Sequence, residues 1–382
     1  MRYKKLKDIS LSNKSVLLRL DLNAPIQNGV VTNNERLLRS LPTISYLLEK
    51  GASLKIMSHL GRPEENDLFQ EAFSLKPVVV ELERLLDRPI PLHSLNEIES
   101  MDDFSDLVMI ENTRFNIGEK NNDPTLSKRF SDLADLFVMD AFATSHRAHA
   151  STTGVISFSD VACAGFLLDE ELSALLKVKE DNNKSIAILG GAKISTKLGL
   201  IDSLSQSMDA VVLGGGIANT CIAAKGFNIG KSLIEPSMLK EAEQLLKNPK
   251  VIIPEIVVVS QSPDQPGREV AVDKVGENEA IFDISPHYVL QLESIINQAG
   301  TILWNGPIGF FEKENFDKGT IQLAKMIVAS KAYSVAGGGD TISAAEKAGV
   351  LDKLDYVSTA GGAFLEFIEG RKLPAIEALI QK

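Results

Sequence analysis

Cysteine is scarce in this chain, and long apolar runs are missing. The only cysteines among its 382 residues are Cys163 and Cys221, which are far apart and lack the spacing of metal ligands. We therefore expect two buried free thiols in a reducing cytoplasm, rather than disulfides or a zinc site. No stretch approaches the roughly 18 apolar residues of a transmembrane helix. Residues 1–5 lead into no apolar signal-peptide core, so we expect no membrane association.

Excess positive charge is also absent. The chain has 40 Lys and Arg against 51 Asp and Glu, a net charge of −11, which argues against a general nucleic-acid-binding protein. An acidic protein can bind anions only through a local basic pocket. The hydrophobic and charged fractions, 44% and 24%, are those of an ordinary globular protein. At this length two domains are expected, and we expect a monomer whose partners are small molecules.

Short apolar runs alternate with helical patterns along the whole chain. We predict nine strands, at residues 16–20, 54–57, 107–110, 136–139, 186–189, 210–213, 256–259, 301–304 and 333–336. The runs are continuous rather than alternating, which is typical of parallel strands covered on both faces. Alternation of strands and helices predicts the α/β class, with two doubly wound, Rossmann-like parallel sheets.

Helical periodicity marks the connections between these strands. One apolar stripe ends before Gly51, and a second begins near Ser74 with Pro77 in its first turn. A further helical pattern at residues 165–176 predicts a hinge helix between the two halves. We therefore expect an N-terminal domain of residues 1–169, completed by a tail of 371–382, and a C-terminal domain of residues 170–370.

Basic side chains follow the predicted strands of the first half. The loops after them contain Arg62, Arg114, Arg147 and three of the five histidines, and Arg36 opens a following helix. In open α/β sheets the ligand crevice lies at the carboxyl ends of the strands. Arginine suits phosphate and carboxylate because its planar fork donates two parallel hydrogen bonds. A single arginine is more often a solvated charge, but this repetition predicts a small-anion site.

Glycine-rich loops follow the strands of the second half. They lie at residues 190–191, 214–216, 305–307 and 337–339. A glycine-rich turn into a helix N-terminus binds anions because free amides and the helix dipole converge there. Lys193 and Lys197 would share one helix face. Asp340 could hold Mg²⁺ or cap a helix. One such loop is more often a tight turn, but their repetition predicts a nucleotide site.

Two other glycine patterns are misleading. Residues 226–232 (GFNIGKS) resemble a phosphate-binding P-loop but have three intervening residues where that motif needs four. Residues 214–219 match only the first two glycines of a dinucleotide fingerprint. The incomplete fingerprint, with no acidic residue placed for a ribose, disfavours a nicotinamide-dependent dehydrogenase.

The motifs together resemble the phosphoglycerate kinase family. They occur in the family's order over essentially the whole chain, at residues 19–25 (RLDLNAP), 58–63 (SHLGRP), 111–115 (ENTRF), 146–154 (HRAHASTTG), 189–193 (LGGAK), 230–232 (GKS), 304–307 (WNGP), 337–341 (GGGDT) and 365–370 (LEFIEG). The resemblance implies reversible, Mg²⁺-dependent phosphoryl transfer from 1,3-bisphosphoglycerate to ADP. It also implies two lobes that close like a hinge, with a C-terminal tail that folds back onto the first domain.

The resemblance also implies the site residues. The phosphoglycerate site would comprise Asp21, Asn23, Arg36, His59, Arg62, Arg114 and Arg147. The nucleotide site would comprise Lys193, Lys197, Gly214, Gly215, Asn305, Pro307, Glu312 at the ribose, Gly338, Gly339, Asp340 at the metal, and Thr341. Catalysis would depend on Arg36, Lys193 and the helix that follows Gly339.

Three positions depart from the family pattern, namely Met139 before Asp-Ala-Phe, Ala143 after it, and Ala360 in the Ser-Thr-Gly-Gly-Gly loop. None removes a charged group that the chemistry needs. An ATP-dependent kinase of a different small carboxylic acid is the alternative activity. A catalytically silent metabolite-binding module is disfavoured because Arg36, Lys193 and Asp340 are all present.

Overall fold

The computed structural model describes residues 1–101, 106–180 and 184–382. The chain divides into two compact units, the first comprising Met1–Ser173 and Lys372–Lys382 and the second Ala174–Arg371. The division falls inside the helix Phe166–Glu180. Across the described ranges, the helices are too short or too polar to cross a bilayer.

In the first unit strands alternate with helices, and the C-terminal segment of the chain contributes one more helix. Its strands are β1 (Ser15–Leu20), β2 (Ile26–Gln27), β3 (Val30–Val31), β4 (Ser53–Met57), β5 (Leu92–His93), β6 (Leu107–Ile110), β7 (Leu136–Asp140) and β8 (Ala162–Ala164). Its helices are α1 (Glu35–Glu49), α2 (Lys76–Leu86), α3 (Leu95–Glu99), α4 (Pro124–Ser131), α5 (Val155–Phe158), the start of α6 (Phe166–Glu180) and α15 (Pro374–Ile380).

Six of these strands form one parallel sheet, counted over the described residues, in the order β5-β6-β4-β1-β7-β8. The four predicted strands are its centre, and consecutive residues such as Leu17 and Leu18 are both buried, so both faces are covered. The edge strands β5 and β8 were not predicted because two or three residues give no recognisable period. All four central strands open their loops at one edge of the sheet.

Both helices predicted from periodicity in the first unit are present, and α2 begins at Lys76, two residues after the predicted start at Ser74. Helix α1 ends at Glu49, and Gly51 then adopts φ +73°, a conformation that glycine tolerates without a Cβ penalty. Helix α2 has Pro77 in its first turn, where the missing N–H is not needed. Helix α15 packs on this unit, with the Ala375 N–H donating to the Ser145 carbonyl at 3.1 Å.

The second unit repeats the plan with an added small sheet. Its strands are β9 (Ser185–Leu189), β10 (Ala210–Leu213), β11 (Val251–Ile252), β12 (Ile256–Ser260), β13 (Arg268–Ala271), β14 (Ala280–Ile284), β15 (Thr301–Asn305), β16 (Tyr333–Gly337) and β17 (Tyr356–Ser358). Its helices are the end of α6, α7 (Leu198–Ser207), α8 (Gly215–Ala224), α9 (Leu239–Leu245), α10 (Pro286–Gln291), α11 (Glu293–Gln298), α12 (Lys318–Ala329), α13 (Gly339–Lys347) and α14 (Gly362–Ile368).

The main sheet of the second unit is also parallel, with the order β11-β10-β9-β15-β16-β17 among the strands that the structure describes. The prediction of a parallel strand at residues 256–259 was wrong. Strand β12 instead pairs antiparallel with β13 and β14 in a separate three-stranded sheet. A short apolar run shows that a strand is buried but does not show the direction of its neighbours. The two cysteines are free and buried, as expected.

Candidate active site

The loops at the carboxyl ends of β1, β4, β6 and β7 bring a basic cluster together in the first unit. We define it as the predicted residues Asp21, Asn23, Arg36, His59, Arg62, Arg114 and Arg147. Arg36, at the start of α1, forms an ion pair with the buried Asp21. The Asn23 side chain accepts a hydrogen bond from the Gly61 N–H at 2.9 Å, which ties the β1 loop to the β4 loop. The sheet edge thus joins loops that are distant in sequence.

Arg114 and Arg147 come from the remaining two strand ends. The Arg114 Nη1 donates to the Gly61 carbonyl at 2.5 Å, whereas its buried Nε has no hydrogen-bond partner among the described residues. The Arg147 Nε donates to His146 Nε2 at 3.1 Å. Burial and then the neighbouring Arg147 lower the pKa of Arg114. Arg62 lies exposed beside them and adds to the repulsion on Arg114. Such crowding of like charges suits a site that receives an anion.

His59 is neutral within this cluster. It is 5% exposed, and its pKa is well below the ordinary histidine value because of burial and then the charges of Arg19 and Arg114. Its Nδ1 lies 3.3 Å from the Nη2 of Arg19 and 3.9 Å from Asp21 Oδ1, which is too long for a hydrogen bond. Since arginine only donates, Nδ1 must be the acceptor.

Sequence reasoning missed the buried partners beneath the cluster. Arg19 occupies an otherwise apolar strand and is 1% exposed, and Glu119 is 0% exposed. Ser151 lies between them, accepting from Arg19 Nε at 3.1 Å and donating to Glu119 Oε1 at 2.5 Å. An arginine inside a buried strand was a usable signal, because such a charge needs a partner. Nothing in the local sequence identified that partner.

A cavity of about 530 Å³ opens in the second unit. Four of the predicted nucleotide residues line it, namely Gly215, Pro307, Glu312 and Asp340. Its lining is largely apolar and includes Val257, Phe282 and Phe310. The other predicted residues, Lys193, Lys197, Gly214, Asn305, Gly338, Gly339 and Thr341, lie outside the lining. The size and apolar character are those of a small-ligand site.

Two of the residues outside the lining, Lys197 and Thr341, fix the loops that shape the cavity. Lys197 Nζ donates to the carbonyls of Gly190 and Asn305 at 2.6 and 3.0 Å, and burial lowers its pKa to about 8. The Thr341 hydroxyl donates to the Gly337 carbonyl and accepts from the Gly306 N–H, both at 2.7 Å. Lys193, by contrast, is exposed.

The turn before α13 presents backbone amides and a carboxylate. Gly338 is the N-cap residue and adopts φ +99°, which requires glycine. Asp340 is exposed in the first turn and lines the cavity, so it does not occupy the capping position. The described residues contain no cluster of three or more His, Cys, Asp or Glu side chains that could hold a metal ion. The Asp340 carboxylate in the first turn of α13 nevertheless fits Mg²⁺, which takes most of its ligands from phosphates and water.

Two residues that line the cavity lie in the glycine-rich segments that only partly match known motifs. Lys231, from the P-loop-like stretch, and Asn219, from the incomplete fingerprint, both line the cavity. Gly230 adopts φ +53°, and a Cβ there would lie 2.1 Å from the Glu279 carbonyl oxygen. The stretch is therefore a tight wall segment rather than a P-loop.

The departure at Ala360 is accommodated locally. The left-handed conformation in that loop falls on Gly361, with φ +56°, and not on Ala360. The Ala360 side chain is buried, so a methyl group fits there. Met139 is a buried residue of β7, and Ala143 lies in the turn that follows it.

Comparison with known proteins shows the family of the chain. The family model described as phosphoglycerate kinase matches residues 6–371. The chain belongs to the phosphoglycerate kinase family. It is 45% identical to phosphoglycerate kinase from Coxiella burnetii, with a TM-score of 0.95 over 100% of this chain and 99% of that one. It is 31% identical to phosphoglycerate kinase from Pyrococcus horikoshii OT3, with a TM-score of 0.81 and 98% coverage of both chains.

Membership of the phosphoglycerate kinase family defines the reaction. The chain is a kinase of glycolysis that transfers a phosphoryl group reversibly between 1,3-bisphosphoglycerate and ADP, giving 3-phosphoglycerate and ATP. Its fold, with two parallel-sheet units, is that of the family. The comparisons do not favour a kinase of a different small acid.

Proposed function

We propose that the basic cluster binds the phosphoglycerate and that the cavity of the second unit binds the nucleotide. The observation that supports the first assignment is the convergence of Arg36, Arg62, Arg114 and Arg147 around a neutral His59 in an acidic protein. A carboxylate or phosphate would relieve the repulsion among these arginines and fill the hydrogen-bonding capacity left at Arg114 Nε. The first unit is thus the acid-binding domain and the second the nucleotide-binding domain.

The nucleotide assignment uses both the lining and the loops behind it. Apolar wall residues such as Phe282 and Phe310 suit a base, and Glu312 is available for ribose hydroxyls. The phosphates would reach the amides at Gly338 and Gly339 and the charges of Lys193 and Lys197. Asp340 would hold Mg²⁺, which supplies charge neutralisation to the phosphates when bound. We place the enzyme in the cytoplasm because its buried free thiols suit a reducing compartment. We keep the expectation that it is a monomer.

Catalysis follows from positioning and charge. The leaving group of an acyl phosphate is a carboxylate, so no general base is required. The transferring phosphoryl spreads negative charge over three equatorial oxygens. Arg36 would stabilise this charge from the first unit, and Lys193 together with the N-terminus of α13 at Gly339 from the second.

Hinge closure is part of the proposal because the two ligands belong to separate units. Closure would exclude water and align the reacting groups before transfer. Solution scattering with 3-phosphoglycerate and a nonhydrolysable ATP analogue together should give a smaller radius of gyration than either ligand alone. An unchanged radius would count against closure.

A binding experiment tests the site assignments directly. Calorimetric titration of 3-phosphoglycerate should give at least about tenfold weaker binding to Arg62→Ala than to the wild type, since one charge-assisted contact is lost. Arg84→Ala is the matched control, because Arg84 is an exposed arginine of the same unit that pairs with Glu81. Equal affinities in all three proteins would show that the basic cluster does not bind 3-phosphoglycerate. A coupled assay with 3-phosphoglycerate, ATP and Mg²⁺ tests the overall activity.

A further inference from the structure

A continuous line of buried polar groups runs beneath the basic cluster, from Glu119 to His59. Both carboxylate oxygens of Glu119 accept from Ser151, Oε1 from the hydroxyl at 2.5 Å and Oε2 from the backbone N–H at 2.9 Å. The same hydroxyl accepts from Arg19 Nε at 3.1 Å. Arg19 Nη2 then reaches His59 Nδ1 at 3.3 Å. None of these four residues is more than 5% exposed.

The direction of each hydrogen bond in this line is fixed by chemistry. Arginine has no acceptor, so Arg19 donates both to Ser151 Oγ and to His59 Nδ1. The serine hydroxyl then directs its one proton to Glu119, which as a carboxylate accepts at both oxygens. A neutral imidazole whose Nδ1 accepts must have its proton on Nε2. Arg19 therefore sets the tautomer of His59, and Ser151 and Glu119 act on that tautomer by holding the Arg19 guanidinium in place.

Glu119 also holds the segment that bears Arg147. Its backbone carbonyl accepts from the Ala150 N–H at 2.9 Å, and its carboxylate accepts from Ser151. Both contacts lie in the π-helix Ala150–Gly154, just after Arg147. π-Helical turns are frequently found at functional sites. Glu119 and Asp21 are the two negative charges that act on Arg19. Burial raises the pKa of the Glu119 carboxyl, and the charge of Arg19 and then the hydrogen bonds from Ser151 favour its ionised form.

We propose that Glu119 and Ser151 are positioning residues for the acid-binding site, which hold His59 as the Nε2–H tautomer through Arg19 and fix the Arg147 segment. This inference rests on the proposed function of the basic cluster. His59 would then present a hydrogen-bond donor, which matches an anionic oxygen of the substrate. Either residue, though placed behind the site, would thereby control affinity for the acid without touching it.

Histidine-ring ¹⁵N spectra of the ligand-free enzyme test the tautomer. The chain has five histidines, so single His→Gln variants assign the signals. The wild type should show His59 with an unprotonated Nδ1 and a protonated Nε2. Ser151→Ala removes one hydroxyl and Glu119→Gln removes the charge with little change of shape. Each should convert the single His59 pattern to a mixture of tautomers.

Kinetics of the same variants test the consequence for the substrate. The KM for 3-phosphoglycerate should rise about tenfold, by analogy with the low end of the effect of losing the outer partner of a metal-ligating histidine. The KM for ATP should stay unchanged, because the nucleotide residues belong to the second unit. Ser159→Ala is the control, a buried serine of the first unit whose hydroxyl donates only to the Val155 carbonyl at 2.7 Å. It should match the wild type in both experiments.

The proposal is overturned if wild-type His59 has its proton on Nδ1. It is equally overturned if a folded Ser151→Ala enzyme keeps both the wild-type ring pattern and the wild-type KM. Ser151→Ala decides the matter alone should Glu119→Gln fail to fold, because it leaves the carboxylate in place. Failure of the proposed function would be recognised separately, as normal binding of 3-phosphoglycerate to Arg62→Ala, and would leave the ligand-free ring pattern unaffected.

Discussion

Replacement of Arg36 by alanine should abolish most of the turnover while leaving the fold intact. We assign Arg36 to the charge that develops on the transferring phosphoryl, and loss of one such donor costs about 3–4 kcal/mol. Since about 1.4 kcal/mol corresponds to a factor of ten in rate, kcat should fall between about a hundredfold and a thousandfold. The magnitude assumes that Arg36 acts in the transition state and not only in binding.

The stability of the Arg36→Ala variant should change little. The arginine side chain is 35% exposed, and its ion pair is with Asp21. Asp21 is buried, but it also interacts with the positive charges of Arg19 and Arg114. Removal of Arg36 therefore does not leave an uncompensated buried charge, and we expect a cost of about 1 kcal/mol. Asp21 also keeps the hydrogen bond from the Asn23 N–H at 3.3 Å. Loss of turnover would therefore report on catalysis rather than on unfolding.

The coupled assay and thermal unfolding together decide the role of Arg36. Arg36→Lys keeps the charge but not the planar fork, so its kcat should lie between those of the wild type and the alanine variant. Normal turnover in Arg36→Ala would refute the assignment. A collapsed Tm in Arg36→Ala would contradict the expectation that the variant keeps its fold.

Further predictions concern the second unit. Gly190→Ala should destabilise the protein by roughly 3 kcal/mol in denaturant titrations, because its Cβ would lie 1.8 Å from the Pro307 carbonyl oxygen. Gly199→Ala is the matched control and should be neutral or slightly stabilising, since its Cβ has only ordinary contacts. Burial lowers the pKa of Lys197 to about 8. The kcat/KM for ATP should therefore fall as the pH rises through 8, because the positive charge of Lys197 is lost. Lys197→Met should remove this pH dependence. Asp340→Asn should raise the Mg²⁺ concentration for half-maximal activity about tenfold, and an unchanged Mg²⁺ titration would exclude Asp340 as the metal ligand.

The central strands of both sheets were predictable because burial on both faces leaves a continuous apolar run. The loops after those strands were interpreted as ligand loops because their Arg, His and Gly residues interrupt that pattern abruptly. The resemblance to the phosphoglycerate kinase family then named the chemistry, and the family match confirms it. The individual roles of the site residues stay predictions.

Only the tertiary structure shows which residues that are distant in sequence come into contact, because no local sequence pattern records these contacts. The pairing of β12 is antiparallel although its sequence resembles that of the parallel strands in the main sheets. Lys231 lines the cavity although its segment has the wrong spacing for a P-loop. Arg19 and Ser151 are 132 residues apart and still share a hydrogen bond. A sequence reports what each residue contributes to burial and charge, but a buried charge is satisfied by whichever group the fold brings within about 3 Å.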